Sequence, residues 1–431
     1  MTARSQPPLT GQSADVSPSA RAERPVGLVP GTRDWLTADC ARLSSLESSL
    51  LEKFARAGYL RIRTPILEYI DLHERKSGAG IVAKLFELAD AGSSGVCLRP
   101  ELTASVVRAY AELPDPLPPL PWRVSLSGPV FRREDEPGTD RMRLREFTQV
   151  GVEVLGADGP AADAEVIALA DRALAESGIA GAKIRLGHVG LIVEILEGTE
   201  LPPTAAAALV EILSAAAAEG GRVVALESAL DRLAGWLRPG GDADEIVPAV
   251  GSSDAAGVDR LFHQLVPNVT GRRSGHEIID RMRRKWDLGH RLENLLGRVR
   301  DQVHRLAEQR GPARSVLARL SSEMAEIAPQ SIAALHDLVD RLVAQGINAD
   351  RLELDLGFGR GIGFYSQMIF ELVVATDSGP LDVCGGGRYD GLAQVLGAGA
   401  GRDSRGVGFA FGLERLAEVL DAQTPRGRAR T

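Results

Sequence analysis

The stretch LRPELTASVVRAY carries an acidic side chain and a hydroxyl two residues apart, at Glu101 and Thr103. The surrounding residues are typical of a strand that runs into a helix. Side chains two residues apart point the same way on an extended chain, and a carboxylate with a hydroxyl can hold an ammonium group. A threonine with a nearby acid is equally typical of a helix N-cap. These residues alone leave both interpretations open.

A second polar patch lies in GPVFRREDEPGTDRMRLREFTQVGVEVLG. Strand alternation divides its second arm into two faces. One face carries Phe147, Gln149, Gly151 and Glu153, and the other carries Thr148, Val150 and Val152. The first of these faces lies opposite Arg132 and Glu134 of the first arm, which indicates a ligand-binding surface. A solvent-exposed outer face explains the same pattern.

A third, glycine-rich set comprises RGIGFYS, GGGRYDGLAQVLG and GVGFAFGLERL. The glycines at 385–387 allow the backbone to approach a ligand closely. Arg360, Arg388 and Arg415 can form a fork that binds phosphate or carboxylate. Each segment is also compatible with a turn that carries a surface arginine.

Common catalytic and metal-binding signatures are absent from the sequence, which has no GxxxxGK[ST], GxSxG or HExxH. The seven histidines are scattered, and we expect His188 in LGHVG to be packed or hydrogen-bonded rather than catalytic. Cys40, Cys97 and Cys384 are too widely separated to indicate a zinc site or a disulfide framework. We therefore expect free thiols and no bound metal.

Composition excludes several classes of protein. The 431 residues suggest two or three domains, and 50 Lys and Arg against 58 Asp and Glu give a net charge of −8, so no global basic field recruits nucleic acid. With 44% hydrophobic and 25% charged residues, the composition is that of a globular protein. Neither a membrane span nor a signal-peptide core is visible. These features predict a cytoplasmic protein that does not associate with membranes.

The elements that must position the three patches can be read from hydrophobic periodicity. Helical spacing runs from Trp35 to about Tyr59, where Gly58 is placed to end the helix. YLRIRTPILEYIDL and VCLRP are typical of strands, and the two arms of the second patch predict an antiparallel hairpin. PAADAEVIALADRALAESG predicts a helix and KIRLGHVG a strand. Residues 191–345 have a helical pattern, after which strand-like sequence returns.

This order predicts an α+β fold in which a helical insertion interrupts one sheet. The predicted divisions are a disordered tail at 1–26, the first part of the core at 27–190, the helical insertion at 191–345, the remainder of the core at 346–422 and a disordered basic tail at 423–431.

Taken in order, these patches resemble the core of the class II aminoacyl-tRNA synthetases, in their histidyl branch. FRRE with REFTQVGVE is similar to the second motif of that class, and GVGFAFGLERL to the third. RGIGFYS and GGGRYDGL are similar to segments peculiar to histidyl-tRNA synthetases and their paralogues. The resemblance implies an antiparallel sheet of six or seven strands flanked by helices, and a homodimer formed through residues 50–70.

The resemblance also implies roles for individual residues. The α-amino group of histidine would be held by Glu101, Thr103 and Gln149, and its imidazole nitrogens by Glu153 and Tyr365. The ATP phosphates and base would be met by Arg132, Glu134, Arg143 and Arg415, with Phe147 stacked on adenine. Arg360 would lie against the histidine carboxylate and the α-phosphate.

Departures from the ligase pattern favour a non-catalytic paralogue. Gly363 and Phe364 replace the Asp and Tyr usual in that segment, and Thr148 replaces a histidine. LGHVG resembles the paralogue that regulates ATP phosphoribosyltransferase, and the chain after Arg415 is too short for an anticodon-binding domain. We therefore expect an allosteric regulatory subunit of histidine biosynthesis that binds histidine, needs no cofactor, and assembles as a homodimer with the short-form ATP phosphoribosyltransferase catalytic subunit.

The alternative is a stand-alone ligase that adenylates histidine or a related amino acid with ATP and Mg. The arginines at 132, 360 and 415 motivate it, and Arg360 would then be catalytic. A third hypothesis is a degenerate tRNA ligase whose anticodon-binding domain is supplied by another protein. If the chain is a regulatory subunit, as we expect, tRNA is not among its partners.

Overall fold

A computed structural model describes residues 27–77, 79–89, 95–133, 144–199, 201, 209–210, 227–228, 230–231, 294–358, 364–399 and 401–423. The predicted tail at 1–26 lies outside these ranges, as does the predicted tail at 423–431 except for Gln423, which ends a helix. Also outside them are most of the predicted insertion and three of the predicted site residues, Glu134, Arg143 and Arg360.

The first half of the chain forms a helix, two sets of strands and the helices that cover them. In chain order these elements are α1 (Thr37–Arg56), β1 (Leu60–Arg61), β2 (Leu67–Tyr69), α2 (Ile70–Ser77), α3 (Ala79–Val82), β3 (Phe86–Leu88), β4 (Val96–Leu98), α4 (Thr103–Ala111), β5 (Trp122–Phe131), β6 (Glu146–Leu155), α5 (Gly159–Ala175), β7 (Lys183–His188) and α6 (Gly190–Glu197).

The second half returns to the same sheet after the insertion. Its elements are β8 (Arg310–Pro312), α7 (Ala313–Glu323), α8 (Pro329–Ala344), β9 (Leu352–Asp355), β10 (Met368–Thr376), β11 (Gly379–Arg388), α9 (Leu392–Val395), β12 (Gly406–Gly412) and α10 (Leu413–Gln423). A short 3-10 turn at Ala349–Arg351 precedes β9.

Within the described ranges, nine strands form one mixed sheet in the order β1–β5–β6–β12–β11–β10–β7–β9–β8. The six strands from β5 to β7 in this order pair antiparallel with one another. The parallel pairings are β1 with β5 and β9 with β7. The predicted α+β class and antiparallel body are confirmed, but the expected six or seven strands were too few because short strands extend both edges. Strands β2, β4 and β3 form a separate small sheet.

The predicted hairpin is confirmed as β5 and β6, which pair from Trp122 with Leu155 to Phe131 with Glu146. Alternation along β6 points Val150, Val152 and Val154 into the main core, where all three are fully buried. Helices α1, α5 and α10 contribute to that core, so this face of the sheet is covered by helices. The other face of β6 is left for the polar residues.

The predicted single strand YLRIRTPILEYIDL is wrong, since the structure divides it into β1 and β2. Pro65 lies in the gap between them and has no backbone N–H to donate to a ladder. β1 pairs with β5 in the large sheet, whereas β2 pairs with β4 in the small one. The break therefore carries the chain from one sheet to the other.

The described residues of the predicted insertion include a helix at 294–307, followed by β8, α7 and α8. Helix α8 packs into the main core, to which α5 also contributes, through the buried side chains of Leu335, Leu338 and Leu342. Strand β8 joins the large sheet beside β9. These residues therefore pack with the sheet, while the insertion's boundaries stay a prediction.

The prediction that Arg388 reads a ligand's phosphate or carboxylate is wrong. Its side chain is fully buried, and its guanidinium donates to the Asp163 carboxylate over 2.8 Å and to the carbonyl oxygens of Ala157 and Gly159 over 3.0 and 3.1 Å. Asp390 accepts a further hydrogen bond over 3.0 Å. Arg388 thus joins the end of β11 to the start of α5 and has a structural role.

Candidate functional site

A cavity opens on the face of the large sheet that the helices of the main core leave uncovered. Its floor is formed by β6, β11 and β12, and one wall by the N-terminus of α4. Six residues predicted for the site line this cavity together: Glu101, Thr103, Arg132, Gln149, Glu153 and Tyr365. These residues come from four separate segments of the chain, and the fold brings them together.

Glu153 is the buried centre of the polar cluster. The Thr103 hydroxyl donates to its Oε1 over 2.6 Å, and the Tyr389 hydroxyl donates to its Oε2 over 2.5 Å. Burial raises the pKa of Glu153 to about 7, although both hydrogen bonds favour the charged form. Near neutral pH this carboxyl group therefore exists in both protonation states.

Tyr389 is a site residue that the sequence analysis missed. It follows Arg388 directly, so on an extended chain its side chain has the same parity as Gly385 and Gly387. All three glycines at 385–387 line the cavity. A Cβ on Gly387 would meet Tyr365 there, whereas one on Gly386 would meet Phe370 in the core, on the face to which Arg388 points. Parity along β11 was the signal that would have assigned Tyr389 to the cavity and Arg388 to the core.

Glu101 lies where β4 gives way to α4, as predicted. Its carboxylate accepts from the backbone N–H groups of Thr103 over 2.7 Å and Ala104 over 3.1 Å, so it caps the helix. The Lys76 ammonium lies 2.8 Å from Oε1. Burial acts to raise the pKa of Glu101, but the charges of Lys76 and His73 outweigh it and the pKa is lowered. Glu101 thus caps the helix and pairs with the protein's own Lys76, while its contact with a ligand's ammonium stays a prediction.

Glycines on the neighbouring strands make room for these side chains. A Cβ on Gly408 would lie 1.8 Å from Oε2 of Glu153, which Gly408 faces across the β6–β12 ladder. A Cβ on Gly387 would lie 2.8 Å from the Tyr365 ring. These glycines therefore make room for the protein's own side chains, and close approach of the segment 385–387 to a ligand stays a prediction.

The residues predicted to meet ATP have protein partners where they are described. The guanidinium of Arg132 donates through Nε to the Pro100 carbonyl over 3.0 Å and lies 5.1 Å from the centre of the Phe147 ring. Arg415 Nη1 donates to the Asp382 carboxylate over 2.6 Å and does not line the cavity. Contact of these residues with ATP stays a prediction.

Two further expectations concern single side chains. Gln149 accepts through Oε1 from the backbone N–H of Leu102 over 3.2 Å, which ties β6 to the start of α4. His188 is buried and its Nδ1 accepts from the N–H of Leu191 over 3.1 Å, so the prediction that it is hydrogen-bonded is confirmed.

The raised pKa of Glu153 predicts a pH dependence of stability. Between about pH 4.5 and 7 the folded protein binds more protons at this group than the unfolded chain does, so the stability that neutral Glu153 contributes is lost as the pH rises. The quantity to follow is the free energy of unfolding of the wild type minus that of Glu153→Gln. We expect this difference to fall by up to about 3 kcal/mol as the pH rises across this window. Urea denaturation at stepped pH measures it, and a difference independent of pH contradicts it.

Comparison with known proteins identifies the family. The family model described as histidyl-tRNA synthetase matches residues 31–247 and 255–416, which is most of the chain. The chain belongs to the histidyl-tRNA synthetase family. The predicted resemblance is confirmed, and it extends through much of the region predicted as an insertion.

Relatives within the family have two different functions. The histidine–tRNA ligase of Methanosarcina acetivorans is 30% identical over 398 residues, covering 92% of this chain and 76% of the ligase. The ATP phosphoribosyltransferase regulatory subunit of Moorella thermoacetica is 32% identical over 392 residues, covering 91% of this chain and 81% of the subunit. Family membership therefore does not by itself distinguish a ligase from a regulatory subunit.

Solved structures support the fold of the family. A Bacillus halodurans protein described as an ATP phosphoribosyltransferase regulatory subunit/histidyl-tRNA synthetase superposes with a TM-score of 0.60 at 23% identity, covering 92% of this chain and 84% of that one. Apo histidyl-tRNA synthetase of S. aureus gives a TM-score of 0.54 at 24% identity, covering 92% and 74%. Both agree with a large sheet flanked by helices.

Two features are missing from the part of the chain that the structure describes. Its helices include none long and apolar enough to cross a membrane. Its histidine, cysteine, aspartate and glutamate side chains form no group of three or more that could hold a metal ion.

Proposed function

We propose that this chain is a regulatory subunit of ATP phosphoribosyltransferase and that it binds histidine in the cavity. The observation that carries the proposal is the gathering of Glu101, Thr103, Gln149, Glu153 and Tyr365 around one cavity, while Arg415 is paired with Asp382 away from it. The groups suited to an amino acid are thus assembled. The 32% identity to a protein named as that regulatory subunit supports the same function.

The chemistry of the cavity suits an imidazole. Histidine has a pKa near 6.5, so its ring both donates and accepts hydrogen bonds around neutral pH. Glu153, with its pKa raised to about 7, can donate a proton or accept one over the same range. Tyr365 and Tyr389 add hydroxyl groups that serve in either direction.

The regulatory function requires a partner and a second site. Feedback of this kind is a coupling between histidine in the cavity and the active site of the short-form catalytic subunit, with histidine binding two states unequally. We propose a homodimer within a cytoplasmic hetero-oligomer, in which the regulatory chain needs no cofactor of its own. Histidine bound in the cavity would then inhibit ATP phosphoribosyltransferase, the first enzyme of histidine biosynthesis.

Calorimetry with free histidine tests the binding site. We expect Glu153→Ala to weaken histidine binding by about 1–3 kcal/mol, because it leaves buried donors of the protein and of the ligand unpaired. Glu165→Ala is the matched control, since Glu165 also accepts from a tyrosine hydroxyl, that of Tyr59 over 3.0 Å, but does not line the cavity. Equal affinity in wild type and Glu153→Ala would count against the site.

Reconstitution tests the regulatory function itself. The chain is mixed with a short-form ATP phosphoribosyltransferase catalytic subunit, and phosphoribosyl transfer is followed with and without histidine. We expect activity that histidine inhibits, and we expect Glu153→Ala to shift the inhibition to higher histidine concentration. If calorimetry shows that histidine binds but histidine does not inhibit phosphoribosyl transfer, the regulatory function is contradicted and the binding site still stands.

A ligase that adenylates histidine is the second candidate. Arg132 favours it, because this cation lines the same cavity as Glu101 and Glu153 and could face a carboxylate or phosphate. ATP and Mg would then be required, and histidine-dependent pyrophosphate exchange is the assay. Exchange at a rate typical of a synthetase would support the ligase and contradict a purely regulatory subunit.

A further inference from the structure

Lys76 is a buried lysine at the edge of the cavity that the sequence analysis did not select. It lies in the last turn of α2, and its side chain is 1% exposed. The ammonium lies 2.8 Å from Oε1 of Glu101 and 3.6 Å from the centre of the Phe364 ring. Because both Glu101 and Phe364 line the cavity, the ammonium is placed at the cavity wall.

The acceptor that Lys76 uses is the same one that a ligand's ammonium would need. Glu101 already accepts from the backbone N–H groups of Thr103 and Ala104. Glu153, the second carboxyl group of the cavity, already accepts from the hydroxyls of Thr103 and Tyr389. The ammonium of Lys76 therefore occupies the position beside Glu101 that the ammonium of a ligand would take.

Lys76 is held by one carboxylate and one aromatic ring. Its ammonium forms a 2.8 Å ion pair with Oε1 of Glu101. The ring face of Phe364 attracts the charge but offers no lone pair. Burial lowers the pKa of Lys76, and the attraction of Glu101 opposes that shift. A ligand that brings its own ammonium can thus compete with this side chain.

We propose that Lys76 is an internal competitor for the ammonium position of the cavity, and that an amino-acid ligand must displace its Nζ from Glu101 in order to bind. The inference rests on the proposed histidine-binding function and deepens it. Lys76 thereby lowers the affinity for a ligand with an ammonium group, compared with the same ligand without one. Displacement also couples occupancy of the cavity to α2, the element that carries Lys76.

The test compares histidine with its analogue that lacks the α-amino group, using calorimetry on Lys76→Gln. Glutamine keeps an N–H donor for Glu101 and removes the charge. Lys53→Gln is the matched control, because Lys53 is also buried but contacts Ser49 and Ser177 outside the cavity. Should Lys76→Gln fail to fold by its melting curve, Lys76→Met serves as the second variant.

We expect Lys76→Gln to shift the ratio of the two affinities at least tenfold toward histidine, and Lys53→Gln to leave the ratio within twofold of wild type. A ratio unchanged in Lys76→Gln would overturn the inference, since a purely structural lysine alters both affinities alike. A tenfold shift in Lys53→Gln as well would also overturn it.

The outcome separates this inference from the proposed function. If the wild-type chain binds neither ligand, the proposed function fails, and the variants still decide the inference. Histidine binding gained in Lys76→Gln or Lys76→Met would then support internal competition. Continued absence of binding in both variants would contradict it.

Discussion

Replacing Arg388 by methionine is expected to lower the free energy of unfolding by about 3–5 kcal/mol, the usual effect of removing one partner from a buried ion pair. The variant would leave the Asp163 carboxylate buried without its cation. Burial already raises the pKa of Asp163 to about 6 even with Arg388 beside it. The carbonyl oxygens of Ala157 and Gly159 would lose their donors as well. Urea denaturation at pH 7 measures the loss.

Arg405→Met is the control for Arg388→Met. Arg405 also pairs with two aspartates, Asp158 and Asp403, but its side chain is 42% exposed. We expect a change below about 1 kcal/mol, as for other exposed ion pairs. The double variant with Asp163→Asn should recover part of the loss, because it removes the orphaned charge. A loss below about 1 kcal/mol in Arg388→Met itself would show that Arg388 does not hold β11 to α5.

The second large effect is expected from Gly408→Ala. The new Cβ would lie 1.8 Å from Oε2 of Glu153 and 2.5 Å from the Val152 carbonyl oxygen, so Glu153 must move and lose its hydroxyl partners. Overpacking of this kind costs about 1–3 kcal/mol of stability. Histidine binding should weaken by about 3 kcal/mol, more than a hundredfold in Kd, because the displaced carboxyl group no longer meets the imidazole of the ligand and a buried donor is left unpaired.

Gly412→Ala separates closure of the cavity from a general effect of alanine in β12. Gly412 lies in the same strand, but its added Cβ would meet side-chain carbons of Arg415 no closer than 3.6 Å, an ordinary contact. We expect stability within about 0.5 kcal/mol of wild type and unchanged histidine affinity. Equal affinities in Gly408→Ala and wild type would show that Glu153 is not part of the binding site.

Much of the site could be predicted because strand periodicity is a strong constraint. In β6, alternation assigned Val150 and Val152 to the core, so Gln149 and Glu153 had to share the opposite face. The same rule places Arg388 and Tyr389 on opposite faces at the end of β11, with Arg388 toward α5 and Tyr389 toward the cavity.

Other features could not be read from local sequence. Lys76 lies in DLHERKSG, where its charge is typical of the exposed last turn of a helix. Only the packing of α2 against α4 and Phe364 reveals that it is buried. The parallel pairings of β1 and β9 likewise join segments that are distant in the chain, and periodicity says nothing about which strands become neighbours.

The pairing of β6 with β12 has a consequence for how the protein is made. Glu153 faces Gly408 in that ladder, and its hydroxyl partner Tyr389 is 236 residues away in sequence. During synthesis, the central ladder can close only after β12 has emerged, so contacts of long sequence separation govern its formation and favour slow folding. The entropic contribution to the free-energy cost of closing a flexible loop grows only with the logarithm of its length, by about 0.6 kcal/mol for each doubling. Length changes in the connection between β7 and β9 that lie outside α6, β8, α7 and α8, which pack with the sheet, would therefore cost the cavity little.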